Sequence, residues 1–284
     1  MKIIINSHAK INFGLNIIRK REDGFHDLNT IFYPVDLHDV LTFTKADAIS
    51  LTTDSHELSA DISSNLIMKS VRALEEFTNK KLPCKIHLEK KIPMGAGLGG
   101  GSSNAACTLL SLNDLYNLNV SIAELMKIAA GIGSDVACFL RPNPTFGESR
   151  GEKLTDIDFH INKPMVLLNP GIHVSTVWAY QNITPRMPDY DLRTLVKNET
   201  DDYRIYRDKV VNDFESPVFR EFPVLRKLKE DFYASGAGFA LMSGSGSTLF
   251  GIFSTPEDAV SFSERYKDRY FVFTQLPDND ESTL

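Results

Sequence analysis

The chain has 284 residues, 42% of them hydrophobic and 24% charged, with a formal net charge of −6. This size and composition are typical of a soluble globular protein with one large or two smaller domains, and they exclude a disordered, collagenous or disulfide-rich chain. The negative charge argues against nucleic-acid and membrane partners, and no apolar run approaches the roughly 20 residues of a membrane helix.

The cysteines and histidines point to a reducing environment without a protein-bound zinc. Three widely spaced cysteines include no CxxC pair, and the chain starts without a secretory signal pattern, which together predict a cytoplasmic protein. The seven histidines show no metal-ligand spacing, so metal-ligating residues are left unassigned.

The first half of the chain carries alternating strand and helix signals. Apolar side chains at every second position of residues 11–18 predict a half-buried strand. Ser63 and Ser64 precede an apolar stripe and are predicted to cap its helix, and Ser121 with Glu124 forms a capping box for a later helix. The other predicted elements are strands at 40–44 and 86–88 and a helix at 105–116.

The second half restarts with an apolar run, and the whole chain is predicted to be α+β. Thr255, followed by Pro256, is a helix-start pattern. A single boundary near residue 155 gives predicted domains at 1–155 and 156–284. The other predicted elements are a strand at 165–168, a polar loop or irregular helix at 185–204, a helix at 222–232 and strands at 239–242, 248–253 and 270–274.

The strongest local signal is a glycine-rich segment at 93–103. Five glycines in seven positions let backbone N–H groups approach an anion closely, and the following helix points the positive end of its dipole at the same place. A glycine-rich turn without a ligand is the alternative, and phosphate binding is favoured. The predicted phosphate-binding residues are Pro93, Met94, Gly95, Ala96, Gly97, Leu98, Gly99, Gly100, Gly101, Ser102 and Ser103.

Two common phosphate-loop types do not fit this segment. A dinucleotide-binding loop needs an acidic residue after a second strand, whereas Asp114 lies inside the predicted helix. A P-loop needs a lysine where Gly101 stands.

Three segments, in order along the chain, resemble the motifs of the GHMP kinases. They are Ala9-Lys10-Ile11-Asn12, then 93–103 followed by Asn104-Ala105-Ala106, and finally Met242-Ser243-Gly244-Ser245-Gly246-Ser247. The resemblance implies a two-domain GHMP kinase fold, with an N-terminal ribosomal-S5-like ATP-binding domain and a C-terminal ferredoxin-like α+β domain that contributes to the substrate site. It also implies ATP at 93–103, with Asn65 near the adenine and Mg²⁺ as a cofactor.

A fourth segment narrows the resemblance. Asp23-Gly24-Phe25-His26, with Thr30-Ile31-Phe32 after it, is similar to the GHMP subfamily that phosphorylates the 2-hydroxyl of a cytidine-diphosphate-linked methylerythritol in non-mevalonate isoprenoid biosynthesis. Phe25 stands where that subfamily usually has tyrosine. The resemblance implies that His26 hydrogen-bonds the cytosine and that Phe25 and Tyr180 stack on it. Asn12 and Phe32 are also predicted to bind the substrate.

The catalytic prediction concerns Lys10 and Asp135. Judged without the motifs, Lys10 is expected to be a strand lysine with its head in water, whereas a helix N-cap and a functional role both stay open for Asp135. The resemblance matches Asp135 to the aspartate that takes the hydroxyl proton, and Lys10 to the lysine that keeps it ionised. Two alternatives stay open: another GHMP small-molecule kinase, for homoserine or a mevalonate derivative, and a non-catalytic nucleotide-binding module.

Overall fold

The computed structural model describes residues 1–55, 65–141, 143–197 and 200–277. These residues form a mixed α+β fold in which none of the described helices has the length and apolar character of a membrane span. The strands are β1 (Lys2–Lys20), β2 (His26–Lys45), β3 (Ser50–Thr53), β4 (Cys84–Glu89), β5 (Thr145–Glu148), β6 (Lys153–Asp156), β7 (Met165–Asn169), β8 (Ala237–Met242), β9 (Leu249–Phe253) and β10 (Phe271–Gln275). The helices are α1 (Leu66–Thr78), α2 (Gly100–Leu115), α3 (Ile122–Ile132), α4 (Thr176–Gln181), α5 (Leu192–Val196), α6 (Glu215–Glu221), α7 (Pro223–Ala234) and α8 (Pro256–Tyr266), with 3₁₀ helices at Ala137–Leu140 and Tyr203–Tyr206.

Contacts between residues divide the chain into two compact units. Unit 1 comprises Met1–Lys10, Pro34–Met94 and Gly99–Asn143, and unit 2 comprises Ile11–Tyr33, Gly95–Leu98 and Pro144–Leu284. Both units therefore draw on separate stretches of the chain. The single sequence boundary near residue 155 stays a prediction.

Unit 1 packs a small sheet beside a group of three helices. The second half of β2 pairs antiparallel with β4, and β3 runs parallel to β4. The predicted apolar stripe of α1 is confirmed in part: Ile67, Val71 and Leu74 are fully buried in a helix that packs on α2 and α3, whereas Phe77, predicted on the same stripe, is 48% exposed. Asn65 caps α1 by accepting the N–H of Ile67 at 2.9 Å, whereas the predicted caps Ser63 and Ser64 lie outside the described residues.

Unit 2 contains a four-stranded antiparallel sheet in the order β10-β7-β9-β8. β7, β8 and β9 are buried along their whole length, because α7 and α8 pack on one face of this sheet, and Phe239 on the other face packs against Phe13 and Tyr206. Stacked rings of Phe232 and Phe262, 4.1 Å between centroids, join the two helices. In the same unit, the first half of β2 pairs antiparallel with β5, and β5 with β6.

Two expectations from the sequence are corrected here. β1 is not half-buried, because the face that carries Asn12, Gly14 and Asn16 is also covered between residues 9 and 17. Leu192 and Val210 lie against Gly14, whose φ is +80°. The helix expected at 105–116 already begins at Gly100, since packing in the fold outweighs the low helix propensity of glycine.

Candidate active site

The glycine-rich segment forms a turn whose backbone is shaped to meet an anion. The φ angle is positive at Gly95, Gly97 and Gly99, at +60°, +78° and +69°, while the side chains between them, Ala96 and Leu98, are buried. An alternation in the sign of φ directs successive N–H groups to one side, as in backbone anion sites. α2 then begins with Gly99 as its N-cap and no side-chain capping bond, which leaves first-turn amides for a ligand.

In unit 2, Ser243 joins parts of all three motifs. Its hydroxyl donates to the carbonyl of Gly97 at 2.9 Å and accepts the N–H of Asn12 at 3.2 Å. A Cβ atom at Gly97 would lie 2.1 Å from the carbonyl oxygen of Ser243, so only glycine fits this contact. The motif at 242–247 was identified from the sequence, but the role of Ser243 was missed, because no local pattern reveals a hydroxyl that bridges distant segments.

In unit 1, Lys10 and Asp135 form an ion pair with 3.6 Å between Nζ and Oδ2. The Lys10 side chain is 6% exposed, so the expectation of a solvated strand lysine is wrong. The N-cap interpretation of Asp135 is also wrong, because Val136 is the N-cap residue of the 3₁₀ helix Ala137–Leu140 and no side chain caps that helix. The Asp135 side chain is 37% exposed, so a bound molecule can reach its carboxylate.

The Lys10–Asp135 ion pair lies beside the N-terminus of α2. A Cβ atom at Gly99 would lie 3.2 Å from Cε of Lys10 and 2.6 Å from Cζ of Phe139. The lysine charge therefore lies close to the helix end that favours anions. Cys138 also contacts this region, but burial and the charge of Asp135 raise the pKa of its thiol, so it stays protonated and is no candidate nucleophile.

In unit 2, ion pairs and hydrogen bonds fix the turn after β1 that carries Phe25. Arg21 pairs with Asp23 at 2.9 Å and also donates to Asp27 and Ser149 at 3.0 Å. The hydrogen bond from Arg21 to Asp23 lowers the pKa of that carboxyl and keeps it ionised. The Phe25 ring is 49% exposed, and the guanidinium of Arg150 lies 3.9 Å from its centroid.

His26 and Tyr180 are brought together in unit 2 as a stacked pair. Their ring centroids are 4.9 Å apart at an interplanar angle of 23°, and Tyr180 meets Phe214 at 88°. Burial, with a smaller contribution from Lys20, lowers the pKa of His26, so its imidazole is neutral at pH 7. A neutral imidazole offers one donor and one acceptor, as base recognition requires.

Several predicted ligand-binding residues have structural partners of their own. The side-chain amide of Asn12 donates to Thr30 at 2.9 Å, and the 5% exposed ring of Phe32 packs on Gly147. Asn65 caps α1, and the hydroxyl of Ser103 accepts a hydrogen bond from Ser7 at 2.7 Å. Direct contact of these residues with a ligand stays a prediction.

Comparison with known families supports the motif interpretation. Residues 65–142 match the GHMP kinases N terminal domain, and residues 191–271 match the GHMP kinases C terminal domain. The chain is 40% identical over 280 residues to the 4-diphosphocytidyl-2-C-methyl-D-erythritol kinase of Chlorobium phaeobacteroides, covering 97% of each chain.

The chain is a GHMP kinase.

Other similarities agree with this assignment. The 4-diphosphocytidyl-2-C-methyl-D-erythritol kinase of Bacteroides fragilis is 39% identical over 89% of this kinase and 93% of its own length. A crystal structure of a 4-(cytidine 5'-diphospho)-2C-methyl-D-erythritol kinase superposes with a TM-score of 0.81 and 31% identity, covering 96% of this kinase and 98% of that chain. The mevalonate kinase of Methanococcus jannaschii, at 13% identity and a TM-score of 0.73, shares the fold. The predicted GHMP kinase fold is confirmed.

Proposed function

We propose that this kinase transfers the γ-phosphoryl group of ATP to the 2-hydroxyl of 4-diphosphocytidyl-2-C-methyl-D-erythritol, in non-mevalonate isoprenoid precursor biosynthesis. The observation that carries the proposal is the 40% identity, over 97% of both chains, with a kinase named for that substrate. The Asp23-Gly24-Phe25-His26 element supports it as the part of the sequence that is not general to GHMP kinases.

The Lys10–Asp135 ion pair of unit 1 supports the proposed chemistry. Asp135 accepts the proton of the acceptor hydroxyl while the hydroxyl oxygen forms a bond to the γ-phosphorus of ATP. The bond between the γ-phosphorus and the oxygen that bridges to the β-phosphate breaks, and ADP leaves. Lys10, 3.6 Å away, orients Asp135 and stabilises the negative charge that develops on the attacking oxygen. The amides of 95–101 hold the phosphates, with Asn65 proposed near the adenine.

Magnesium is proposed to accompany ATP. Within the described ranges, no group of three or more histidine, cysteine, aspartate or glutamate side chains could hold a metal ion. Mg²⁺ commonly binds nucleotides through phosphate oxygens and one or two carboxylates, so a dedicated cluster is not required. We assign no ligand to it.

The cytosine is proposed to bind in unit 2 at Phe25, His26 and Tyr180. Stacking of a base on an aromatic ring contributes about 1–3 kcal/mol per base. The neutral imidazole of His26 supplies hydrogen bonds to the base edge. Asn12 and Phe32 are also proposed to bind the substrate. The three free thiols, Cys84, Cys107 and Cys138, support a reducing, cytoplasmic location.

An ADP-release assay with a set of acceptors tests this function. We expect turnover with the cytidylyl-methylerythritol and little with methylerythritol phosphate, homoserine or mevalonate. The Asp135→Asn variant is the control for contaminating kinase activity. Equal turnover of the substrate with and without its nucleotide would refute the cytosine site, and preference for homoserine or mevalonate would refute the substrate assignment.

A further inference from the structure

Asp39 lies fully buried in the part of β2 that belongs to unit 1, and its carboxylate accepts four hydrogen bonds. Oδ1 accepts the backbone N–H groups of Lys91 at 2.7 Å and Ile92 at 2.8 Å. Oδ2 accepts the ammonium of Lys90 at 2.7 Å and the side-chain amide of Asn104 at 2.9 Å. All four donors therefore converge on one side chain, and the four bonds use the hydrogen-bonding capacity of a carboxylate fully.

These four donors flank the glycine-rich segment. Lys90, Lys91 and Ile92 immediately precede it, and Asn104 lies in the first part of α2, just after it. Lys90 also donates to the carbonyl of Ile92 at 2.6 Å, which closes the entry into a tight turn. Asp39 thus holds both ends of the segment at one point.

Two further contacts make this arrangement tight. The side-chain amide of Asn104 also donates to Ser7 at 2.8 Å, which ties α2 to β1. A Cβ atom at Gly100 would lie 3.0 Å from Cγ2 of Ile92 and 3.1 Å from Nζ of Lys90, so the helix start rests directly on the entry turn. A small displacement of either end therefore has to move the other.

A buried ion pair is poor evidence for a stabilising role, because apolar residues of similar volume often stabilise a fold as well or better. Directional hydrogen bonds do something that apolar packing cannot, since they fix the angles of the groups they bind. Here the fixed groups are the backbone before the segment and a side chain at the start of the helix, whose amides point at the proposed phosphate site.

We propose that Asp39 is a positioning residue for the nucleotide. It sets the spacing between the two ends of segment 93–103 through Lys90 and Asn104, and so the direction of the amides that bind the phosphates. The inference rests on the proposed binding of ATP at this segment. It predicts an effect on ATP affinity and not on the affinity for the phosphate acceptor.

The first variant is Asp39→Asn, which keeps the shape of the side chain. Its carboxamide oxygen still accepts the N–H groups of Lys91 and Ile92, but its NH₂ group faces the donors of Lys90 and Asn104. We expect affinity for a non-hydrolysable ATP analogue, measured by calorimetric titration, to fall about tenfold or more, because buried donors are left unpaired. KM for ATP should rise in step, while KM for the acceptor stays within about twofold.

The exchange variant Asp39→Asn/Asn104→Asp provides a rescue. The amide at 39 then donates to a carboxylate at 104, so the same two side chains are joined with donor and acceptor reversed. We expect most of the lost ATP affinity to return. If the exchange variant binds the analogue no better than Asp39→Asn, the claim that this contact sets the spacing is wrong.

Glu75→Gln is the matched control. Glu75 is a mostly buried carboxylate of unit 1 that accepts the N–H of Leu82 at 2.8 Å and pairs with Lys81 at 3.7 Å. We expect it to lower stability without changing ATP affinity. If Glu75→Gln loses as much ATP affinity as Asp39→Asn, the loss would follow from neutralising any buried carboxylate of unit 1. That result would overturn the proposal.

If Asp39→Asn fails to fold, the Lys90→Met variant tests the same proposal. It retains the aliphatic stem and removes the ammonium from both Asp39 and the Ile92 carbonyl. The same selective loss of ATP affinity is expected, and wild-type affinity in this variant would overturn the proposal. Because the titration needs no acceptor, these results stay interpretable even if the proposed substrate is incorrect.

Discussion

The Asp135→Asn substitution separates proton transfer from structure, because it keeps the size of the side chain and removes its basicity. The structure excludes a capping role for Asp135, so the variant loses no helix cap. What it loses structurally is the ion pair with Lys10, in which one partner is 37% exposed. A pair this open contributes up to about 1 kcal/mol, which corresponds to about 2–4 °C in Tm for a chain of this size.

The catalytic loss should be much larger. A positioned general base contributes about 10²–10⁴-fold to the chemical step, or about 3–5 kcal/mol. Single-turnover kinetics with pre-bound ATP measure that step directly, and thermal unfolding measures the structural cost. A near-normal single-turnover rate in Asp135→Asn would refute the assignment of Asp135 as the base.

The double variant with Lys10→Met tests whether the two residues act together. At 3.6 Å, two unit charges attract by about 4–5 kcal/mol at an effective dielectric constant of about 20, and by about 1 kcal/mol in bulk water. Asp135 is partly exposed, so the attraction lies between these limits. The double variant should therefore be at least about tenfold more active than it would be if the two single-variant losses multiplied independently. Multiplicative losses would show that Lys10 does not act through Asp135.

Three further predictions concern the phosphate loop, the base site and pH. Gly99→Ala should lower the free energy of unfolding by about 1–2 kcal/mol, because the φ of Gly99 is +69°. The added methyl group would also overlap with Phe139, and we expect ATP binding to weaken. An unchanged free energy of unfolding in a denaturant titration would contradict this. Arg150→Met should raise KM for the acceptor about two- to fivefold, because an exposed cation–π contact with Phe25 is lost, and should leave KM for ATP unchanged. The substitution should have no effect on KM in a Phe25→Leu background. An equal rise in KM in that background would show that Arg150 does not act through the Phe25 ring. Because the pKa of His26 is lowered from 6.5, its ring gains a proton only as pH falls below 6.5. We therefore expect kcat/KM for the acceptor to be constant above pH 6.5 and to fall below it, with no such fall in His26→Gln. A fall that starts above pH 6.5 would contradict the neutral imidazole.

The secondary structure that could be predicted from the sequence has local causes. The capping box of Ser121 and Glu124 is confirmed, as is the start of α8 at Thr255 and Pro256. Both depend on hydrogen bonds and φ preferences within one helical turn. The short strands β3, β5 and β6 were missed, since four residues with mixed polarity give no detectable period.

The sequence by itself determined the glycine-rich turn within 93–103 and the helix after it, because both depend on the local backbone. Only the tertiary structure decided what surrounds them. Lys10 reaches Asp135 across 125 positions of sequence, Ser243 bonds to Gly97, and Asp39 gathers donors from both ends of the glycine-rich segment. Such contacts depend on packing between distant segments, and a buried aspartate in a strand looks the same in sequence whether it binds four donors or faces water. Local backbone geometry can therefore be predicted from neighbouring residues, whereas burial and long-range hydrogen bonding are set only when the chain is folded.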